Sequence, residues 1–391
     1  MADDPPTQPG TRRMARVFTE GRGGETPGIP MSYEDLEAAA LDALSPEAYD
    51  YVAGGAGGED TVDRNREAFR RYRLLPRMLR DVAERDLSTT VCGTELPHPV
   101  MLAPVGVQSI IHEEGERATA RAAAELGMGL IASSAASTTM EDVRAELDDA
   151  PGWFQLYWSS DHDLARSFVD RATDAGYEAV VVTLDTPMLA WRERDMQRAY
   201  LPFLDGDGVA NYFSDPTFRS RVDGDVDEDP EAAVDEFLDV FSDPTLTWDD
   251  FAWLCEYSDL PVVAKGILHP DDAERAVDAG AAGVVVSNHG GRQVDGAVAA
   301  LEQLPDVVDA VDEEVDVVFD SGIRRGADVL KALALGADAV LLGRPYVYGL
   351  ALDGASGVRE VCANLLADFD LALGLIGHDD VADVDESVLA D

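Results

Sequence analysis

A histidine and an arginine three positions apart stand at the end of an apolar run, in Val284-Val285-Val286-Ser287-Asn288-His289-Gly290-Gly291-Arg292-Gln293. A histidine exchanges a proton near neutral pH, and an arginine grips a carboxylate through parallel N–H donors. Two glycines between them let the backbone turn sharply beside a bound molecule. The chemistry on offer is a general base next to a carboxylate clamp. A buried strand followed by an ordinary polar turn would look the same, so the weight falls on the other apolar runs.

Those runs end in chemistry as well. One ends in Gln155 and Tyr157, the next in Thr183 and Asp185, then Lys265, then Asp320, then Gly343-Arg344. Lysine is nearly absent from the chain, and of the two present, Lys331 sits mid-helix and reads as a surface residue. Lys265 falls at a buried strand end, where an unpaired charge is costly unless it is used. Asp320-Ser321-Gly322-Ile323-Arg324-Arg325-Gly326 and Gly343-Arg344-Pro345 combine glycine N–H groups with arginines, a pattern suited to phosphate.

The elements that must position these groups alternate. Apolar runs at Val100–Val105, Gly129–Ala132, Trp153–Tyr157, Ala179–Leu184, Pro261–Ala264, Gly283–Val286, Val317–Phe319 and Ala339–Leu342 are separated by helix-like stretches. Eight buried runs of this kind predict parallel strands, and eight strands close an α/β (β/α)8 TIM barrel. All the strand ends then share the functional rim. No Gly-x-Gly-x-x-Gly follows the first run, which counts against an open doubly wound sheet. Residues 1–30 read as a mobile tail and 31–391 as the barrel domain, with an N-terminal helical segment. That segment has a helix N-capped at Ser32 and a short one from Pro46 that carries Tyr51 and breaks at Gly54-Gly55. Residues 186–247, after strand 4, exceed a normal connection and read as a lid over the C-terminal barrel face. The acidic middle, Asp205–Asp243, is expected to be partly mobile.

Composition narrows the partners. The 391 residues carry a formal net charge of −47, which excludes nucleic acid and anionic membrane as expected partners. Acidic excess with few lysines predicts a halophilic protein of a salt-rich cytoplasm. Cys92, Cys255 and Cys362 form neither a metal pattern nor a disulfide framework, in keeping with a reducing compartment. No run reaches transmembrane length, and no hydrophobic segment follows Arg12-Arg13.

From the residues alone, two chemistries stay open for a barrel holding a phosphorylated ligand. Lys265 is a Schiff-base nucleophile of an aldolase, or the phosphate belongs to a flavin and Lys265 balances its negative charge. A non-enzymatic phosphate-ligand binder is a further reading.

Ser287-Asn288-His289-Gly290-Gly291-Arg292-Gln293, Thr183-Leu184-Asp185-Thr186-Pro187, Phe154-Gln155-Leu156-Tyr157, Ala264-Lys265-Gly266 and Asp320-Ser321-Gly322-Ile323-Arg324 resemble the FMN-dependent 2-hydroxy acid oxidising enzymes. Glycolate oxidase, lactate oxidase and mandelate dehydrogenase are members. The resemblance spans residue 31 to the C-terminal helices, and Leu201-Pro202-Phe203-Leu204 and Asn211-Tyr212 make the chain most similar to lactate 2-monooxygenase.

The resemblance implies that His289 is the base and that Asp185 pairs with it and raises its basicity. Arg292 and Arg192 would clamp the substrate carboxylate, while Tyr51 and Tyr157 hydrogen-bond the substrate. Lys265 and Ser287 would lie by the flavin. Ser133, Gln155 and Thr183 would contact its ring, and Pro104, Val105 and Gly106 would line the other side. Asp320, Gly322, Arg324, Gly343 and Arg344 would hold the ribityl phosphate. No metal is expected. Ala135 replaces a tryptophan of glycolate oxidase, so a roomier substrate pocket is expected; Gly106 replaces an alanine of several oxidases, which is expected to change oxygen access or to admit a larger side chain. The expected reaction is oxidation of a small L-2-hydroxy acid, L-lactate first, to the 2-keto acid. Oxygen or another acceptor would then reoxidise FMN, in a homotetramer or homo-octamer. Peroxide release, coupled decarboxylation and use of another acceptor all stay open, as does the choice between hydride and carbanion routes.

Overall fold

The structure, a computed structural model, describes residues 8–390. A hairpin, β1 (Thr89–Val91) and β2 (Thr94–Leu96), precedes eight barrel strands. These are β3 (Val100–Leu102), β4 (Gly129–Ser133), β5 (Gly152–Tyr157), β6 (Ala179–Thr183), β7 (Val262–Ile267), β8 (Gly283–Val286), β9 (Asp316–Phe319) and β10 (Ala339–Leu342). Each is parallel to the next, and β10 pairs with β3 to close the ring, so the expected (β/α)8 barrel is the fold.

Closure follows from side-chain alternation. Met101, Ile131, Trp153, Val181, Val263, Val285, Val318 and Leu341 point inward and form one core. Their neighbours Leu102, Leu130, Phe154, Val182, Val284 and Val286 join the larger core shared with the helices. Strands apolar on both faces have nowhere to go but between two layers. Val91, Cys92 and Leu96 of the hairpin belong to the inner core, and Trp153 donates to Thr94 at 2.9 Å. The hairpin therefore plugs the floor, and the other end of the barrel is the open one.

The N-terminal segment differs from expectation. Pro9–Arg22 is a helix docked on the long C-terminal helix Arg344–Ile376. Gly10 N donates to Asp370 at 2.8 Å, and Arg13 pairs with Glu360 at 2.7 Å and Asn364 at 2.8 Å. A composition rich in Pro, Gly and Thr hides this helix, because its partners lie about 350 residues away in sequence. The part of the expected tail at residues 1–7 lies outside the described residues. The helices Tyr33–Ala43 and Pro46–Ala53 form as predicted, with Ser32 Oγ accepting from Asp35 N at 3.1 Å.

Lys331 also departs from its surface reading. Its Nζ donates to the Phe69 carbonyl at 2.9 Å, at the C-terminal end of helix Asp60–Arg71, where a cation is favoured.

The insertion after β6 is folded throughout its acidic middle. Helices Ala210–Phe213, Pro216–Arg219 and Pro230–Val240 enclose Tyr212, Phe218 and Phe237, all fully buried, with Tyr212 and Phe237 edge to face at 4.8 Å. Asn211 ties this small core to the barrel, donating to the Ser133 and Ser134 carbonyls at 3.3 and 3.1 Å and accepting from Met140 N at 2.7 Å. Asp223, Asp225, Asp227 and Glu228 lie on the outside, while Asp215 is buried and accepts from Arg171 at 3.1 Å. The aromatic residues between the charges, not the charges, decide whether the segment folds.

Candidate active site

At the open end lies a cleft of about 920 Å³, counting its mouth. Its walls include Tyr51, Pro104, Val105, Gly106, Tyr157, Arg192, Lys265, His289, Arg292, Asp320, Gly322, Arg324, Gly343 and Arg344, fourteen of the residues singled out from sequence. Apart from Tyr51, which the helix Pro46–Ala53 brings in, they come from seven strand ends and the connections that follow them, which parallel closure brings to one rim.

His289 Nδ1 lies 2.9 Å from Asp185 Oδ1, joining the end of β8 to the end of β6. The Asp185 Oδ2 atom is buried without a hydrogen-bond partner. His289 has φ +56 and is followed by Gly290 and Gly291, also left-handed. Such a run is rare and belongs to sites where a side chain must be aimed. Ser287 Oγ receives the His289 N–H at 3.0 Å, and Ser321 Oγ receives that of Gly290 at 3.0 Å, so the turn is held by hydroxyls from two strands.

Burial pulls the His289 imidazole below its ordinary value. Asp185 pushes it up, as expected, but Lys265 and Arg192 add to the downward pull, and the net direction is down. Asp185 thus raises the imidazole's basicity as expected, against burial and two cations that set the net direction. Asp185 is driven up by burial but brought lower overall by His289 and Lys265. Both directions describe a neutral imidazole beside a carboxylate, the state in which a base accepts a proton.

Lys265 is buried, 3.1 Å from Ser287 Oγ and 3.4 Å from Asp320. Burial opposes its charge, but Asp320 and Asp185 outweigh it and the ammonium is held more firmly than usual. A firmly protonated amine is a poor nucleophile, which removes the basis for a Schiff-base aldolase.

Arg292 donates to the Tyr51 and Gly54 carbonyls at 2.6 and 2.9 Å and stacks over the Tyr51 ring at 5.2 Å. Burial first, then Arg192, pulls it down to about 9, so it is still cationic at neutral pH. An anion arriving between these guanidiniums relieves that repulsion. Burial raises Tyr157 to about 12, keeping its phenol a donor.

Arg344 donates to the Val52, Gly54 and Gly290 carbonyls at 3.0, 2.8 and 3.0 Å. It is a staple as well as a charge. Arg324 stacks on Tyr33 at 4.3 Å, and its Nε is buried with no partner.

Asp185, Ser133, Gln155, Thr183 and Ser287 do not line the cleft. Ser133 donates to Gln155 Oε1 and Gln155 to Thr183, each at 2.9 Å, in a buried row across β4, β5 and β6. Gly106 does not open space either. A methyl there would overlap the Ala135 carbonyl oxygen, which accepts from Val107 N at 3.0 Å. Sequence reading missed Ser321, which also donates to Asp320 at 2.7 Å, and Asn288, paired amide to amide with Asn65 at 2.8 Å. Both sit inside quoted motifs, but only the folded loops show what they hold.

The family model for FMN-dependent dehydrogenase matches residues 40–391. The chain belongs to this family. An L-lactate oxidase of Lysinibacillus sphaericus (strain C3-41) is 43% identical over 349 residues, covering 89% of this chain and 90% of the relative. A 4-hydroxymandelate oxidase of Amycolatopsis orientalis is 42% identical over 352 residues, covering 90% and 96%. A crystal structure of mandelate oxidase aligns with a TM-score of 0.82 at 41% identity, covering 92% of this chain and 98% of that one. This member of the FMN-dependent dehydrogenase family is therefore an FMN-dependent 2-hydroxy acid oxidoreductase. The cleft suits FMN: the unpartnered Arg324 Nε is a donor available to an anion, and Lys265 is a buried cation on the same wall. Among the described residues, no cluster of side chains could hold a metal ion, and no helix is long and apolar enough to cross a membrane.

Proposed function

We propose that the protein oxidises L-lactate to pyruvate at bound FMN and passes the electrons to oxygen. One observation carries this reading: a neutral histidine–aspartate pair faces two arginines across a single cleft. A 2-hydroxy acid presents a carboxylate and a proton-bearing carbinol within one small molecule, one for the arginines and one for the base.

Arg192 and Arg292 bind the carboxylate, and Tyr51 and Tyr157 direct their hydroxyls at the substrate oxygens. His289 takes the hydroxyl proton, and Asp185 stabilises the imidazolium that results. FMN supplies the two-electron acceptor. Arg324, Arg344, Gly322, Gly343 and Asp320 hold its phosphate and ribityl chain. Lys265, steadied by Ser287, balances the negative charge the cofactor gains. The row Ser133–Gln155–Thr183 backs the ring position, and Pro104, Val105 and Gly106 form its other wall. Insertion residues Met188, Leu189, Phe203 and Phe241, with Val107 and Ala135, make an apolar recess beside His289 that suits a methyl group and limits water. In this reading residues 186–247 act as the lid.

An aryl-bearing 2-hydroxy acid is the second reading. It is favoured by the small Ala135 and Val107 on that wall and by the likeness to enzymes named for mandelate. The acidic composition supports a salt-rich cytoplasm as the setting, and a homotetramer or homo-octamer is the assembly we infer from resemblance.

The test is anaerobic reduction of the yellow holoprotein, purified in high salt, with L-lactate, glycolate and L-mandelate in turn. Fastest bleaching by L-lactate supports the reading, and fastest bleaching by mandelate supports the second one. Peroxide on readmitting oxygen marks an oxidase, and acetate marks coupled decarboxylation. A colourless protein that takes up no FMN overturns both.

A further inference from the structure

Arg192 lies on the connection that leaves β6, and the dyad is fixed at the other side of the cleft. Something must set the distance between clamp and base. Among the described residues the Arg192 side chain makes two hydrogen bonds: Nε donates to the Arg292 carbonyl at 3.2 Å, and Nη2 donates to Gln293 Oε1 at 3.3 Å. It has no carboxylate partner there. Gln293 is therefore its one side-chain partner.

The other end of that amide is also committed. Gln293 Nε2 donates to the Asp185 carbonyl at 2.6 Å and to the Met188 carbonyl at 3.4 Å. A single carboxamide thus binds the start of the insertion on one side and Arg192 on the other. It does so from the loop that carries His289 and Arg292. Only an amide has the acceptor for a guanidinium and the donors for two carbonyls in one planar group. The dyad has supports besides Gln293, because Asp185 is held by His289 at 2.9 Å and Leu184 N donates to the Lys265 carbonyl at 2.8 Å.

We propose that Gln293 is the positioning residue of the carboxylate clamp, setting Arg192 against His289 and fixing residues 185–188 at the root of the insertion. The proposal rests on the reading of Arg192 as a substrate-carboxylate ligand. With Gln293 removed, Arg192 keeps its charge but loses its orientation, so binding suffers more than the proton transfer that follows it.

The experiment compares Gln293→Met, Gln293→Glu and Arg192→Met with the parent holoenzyme. Methionine keeps length and volume without hydrogen bonds. Glutamate keeps the acceptor for Arg192 but sets an anion against two carbonyl oxygens. For Gln293→Met we expect KM for L-lactate to rise about tenfold, the size of one lost hydrogen bond to a charged group, with kcat within about twofold. Spectral titration with oxalate, a dicarboxylate that needs no turnover, should weaken by the same factor while FMN content stays full. Gln293→Glu should weaken oxalate at least as much. Unchanged KM and oxalate affinity in Gln293→Met, with both lost in Arg192→Met, overturns the proposal and leaves the clamp intact. Unchanged oxalate affinity in Arg192→Met overturns the clamp reading itself. A fall in kcat alone would make Gln293 part of the dyad's support and also overturns the proposal.

Discussion

Gly266 stands directly against Asp185. A Cβ at 266 would lie 2.7 Å from the Asp185 Cβ, and the residue has φ +103 at a register shift in β7, one position after Lys265. The absence of a side chain at 266 lets Asp185 come near enough to meet His289. Gly266→Ala forces a left-handed alanine, costing about 1–2 kcal/mol, and pushes the carboxylate away. We expect kcat to fall roughly tenfold or more with FMN still bound. Stopped-flow reduction of the yellow variant measures it, and a rate equal to the parent's would show that Asp185 tolerates the shift.

Asp185→Asn separates two effects. The carboxylate is the group that pushes His289 upward, so its removal leaves burial, Lys265 and Arg192 all pulling down. His289 works as a neutral base, so kcat/KM rises with pH through its value, which already lies below the ordinary imidazole range. In Asp185→Asn that acid limb moves to still lower pH. The plateau drops by about 10²–10⁴, the usual size of a general-base contribution. A pH profile from 4.5 to 9 reads both, and an acid limb that does not move would mean Asp185 does not set the imidazole's affinity.

His98 gives a stability prediction far from the chemistry. Both its ring nitrogens are buried without partners beneath β3, and burial holds it down to about 4. An unfolded chain binds that proton near the ordinary value of about 6.5. The native form is therefore fully favoured above that value and loses up to roughly 3 kcal/mol as pH falls through the window from about 6.5 to 4. Thermal melts of His98→Leu against parent between pH 4 and 7.5 should show the variant losing less with acid. Parallel curves would reject the assignment.

Charge predicts a salt requirement. With 77 acidic and 30 basic side chains, arginines on the surface are outnumbered, as where Arg219 meets both Asp225 at 3.1 Å and Asp227 at 2.7 Å. Screening should add several kcal/mol, raising Tm by roughly 5–10 °C between 0.1 and 2 M KCl. A Tm that falls with KCl would show that the pairs outweigh the repulsion.

Much of this molecule is legible in its sequence, for identifiable reasons. Eight short, mostly apolar runs alternating with helix-like stretches read as strands covered on both faces, and parallel closure then puts His289, Asp185, Lys265 and Arg344 on one rim. Contacts that skip far along the chain are not legible. Arg13 reaches Glu360, Lys331 reaches Phe69, and Gly106 lies under Ala135 because of register, not composition. The upward push of Asp185 on His289 is legible, but the net direction is not, for a similar reason. It depends on how many cations share its burial, and the motif shows only Asp185.

The insertion's private aromatic core, fastened to the barrel through Asn211, has a consequence for substrate choice. Phe203 and Phe241 face the apolar recess but are packed by Tyr212 and Phe237 of their own segment. The insertion's share of the recess can therefore be reshaped from within one stretch of chain, while Tyr51, Tyr157 and His289 on its other side belong to the chemistry. A change of side chain at Phe203 or Phe241 would alter which substrates fit and leave the residues that move the proton in place.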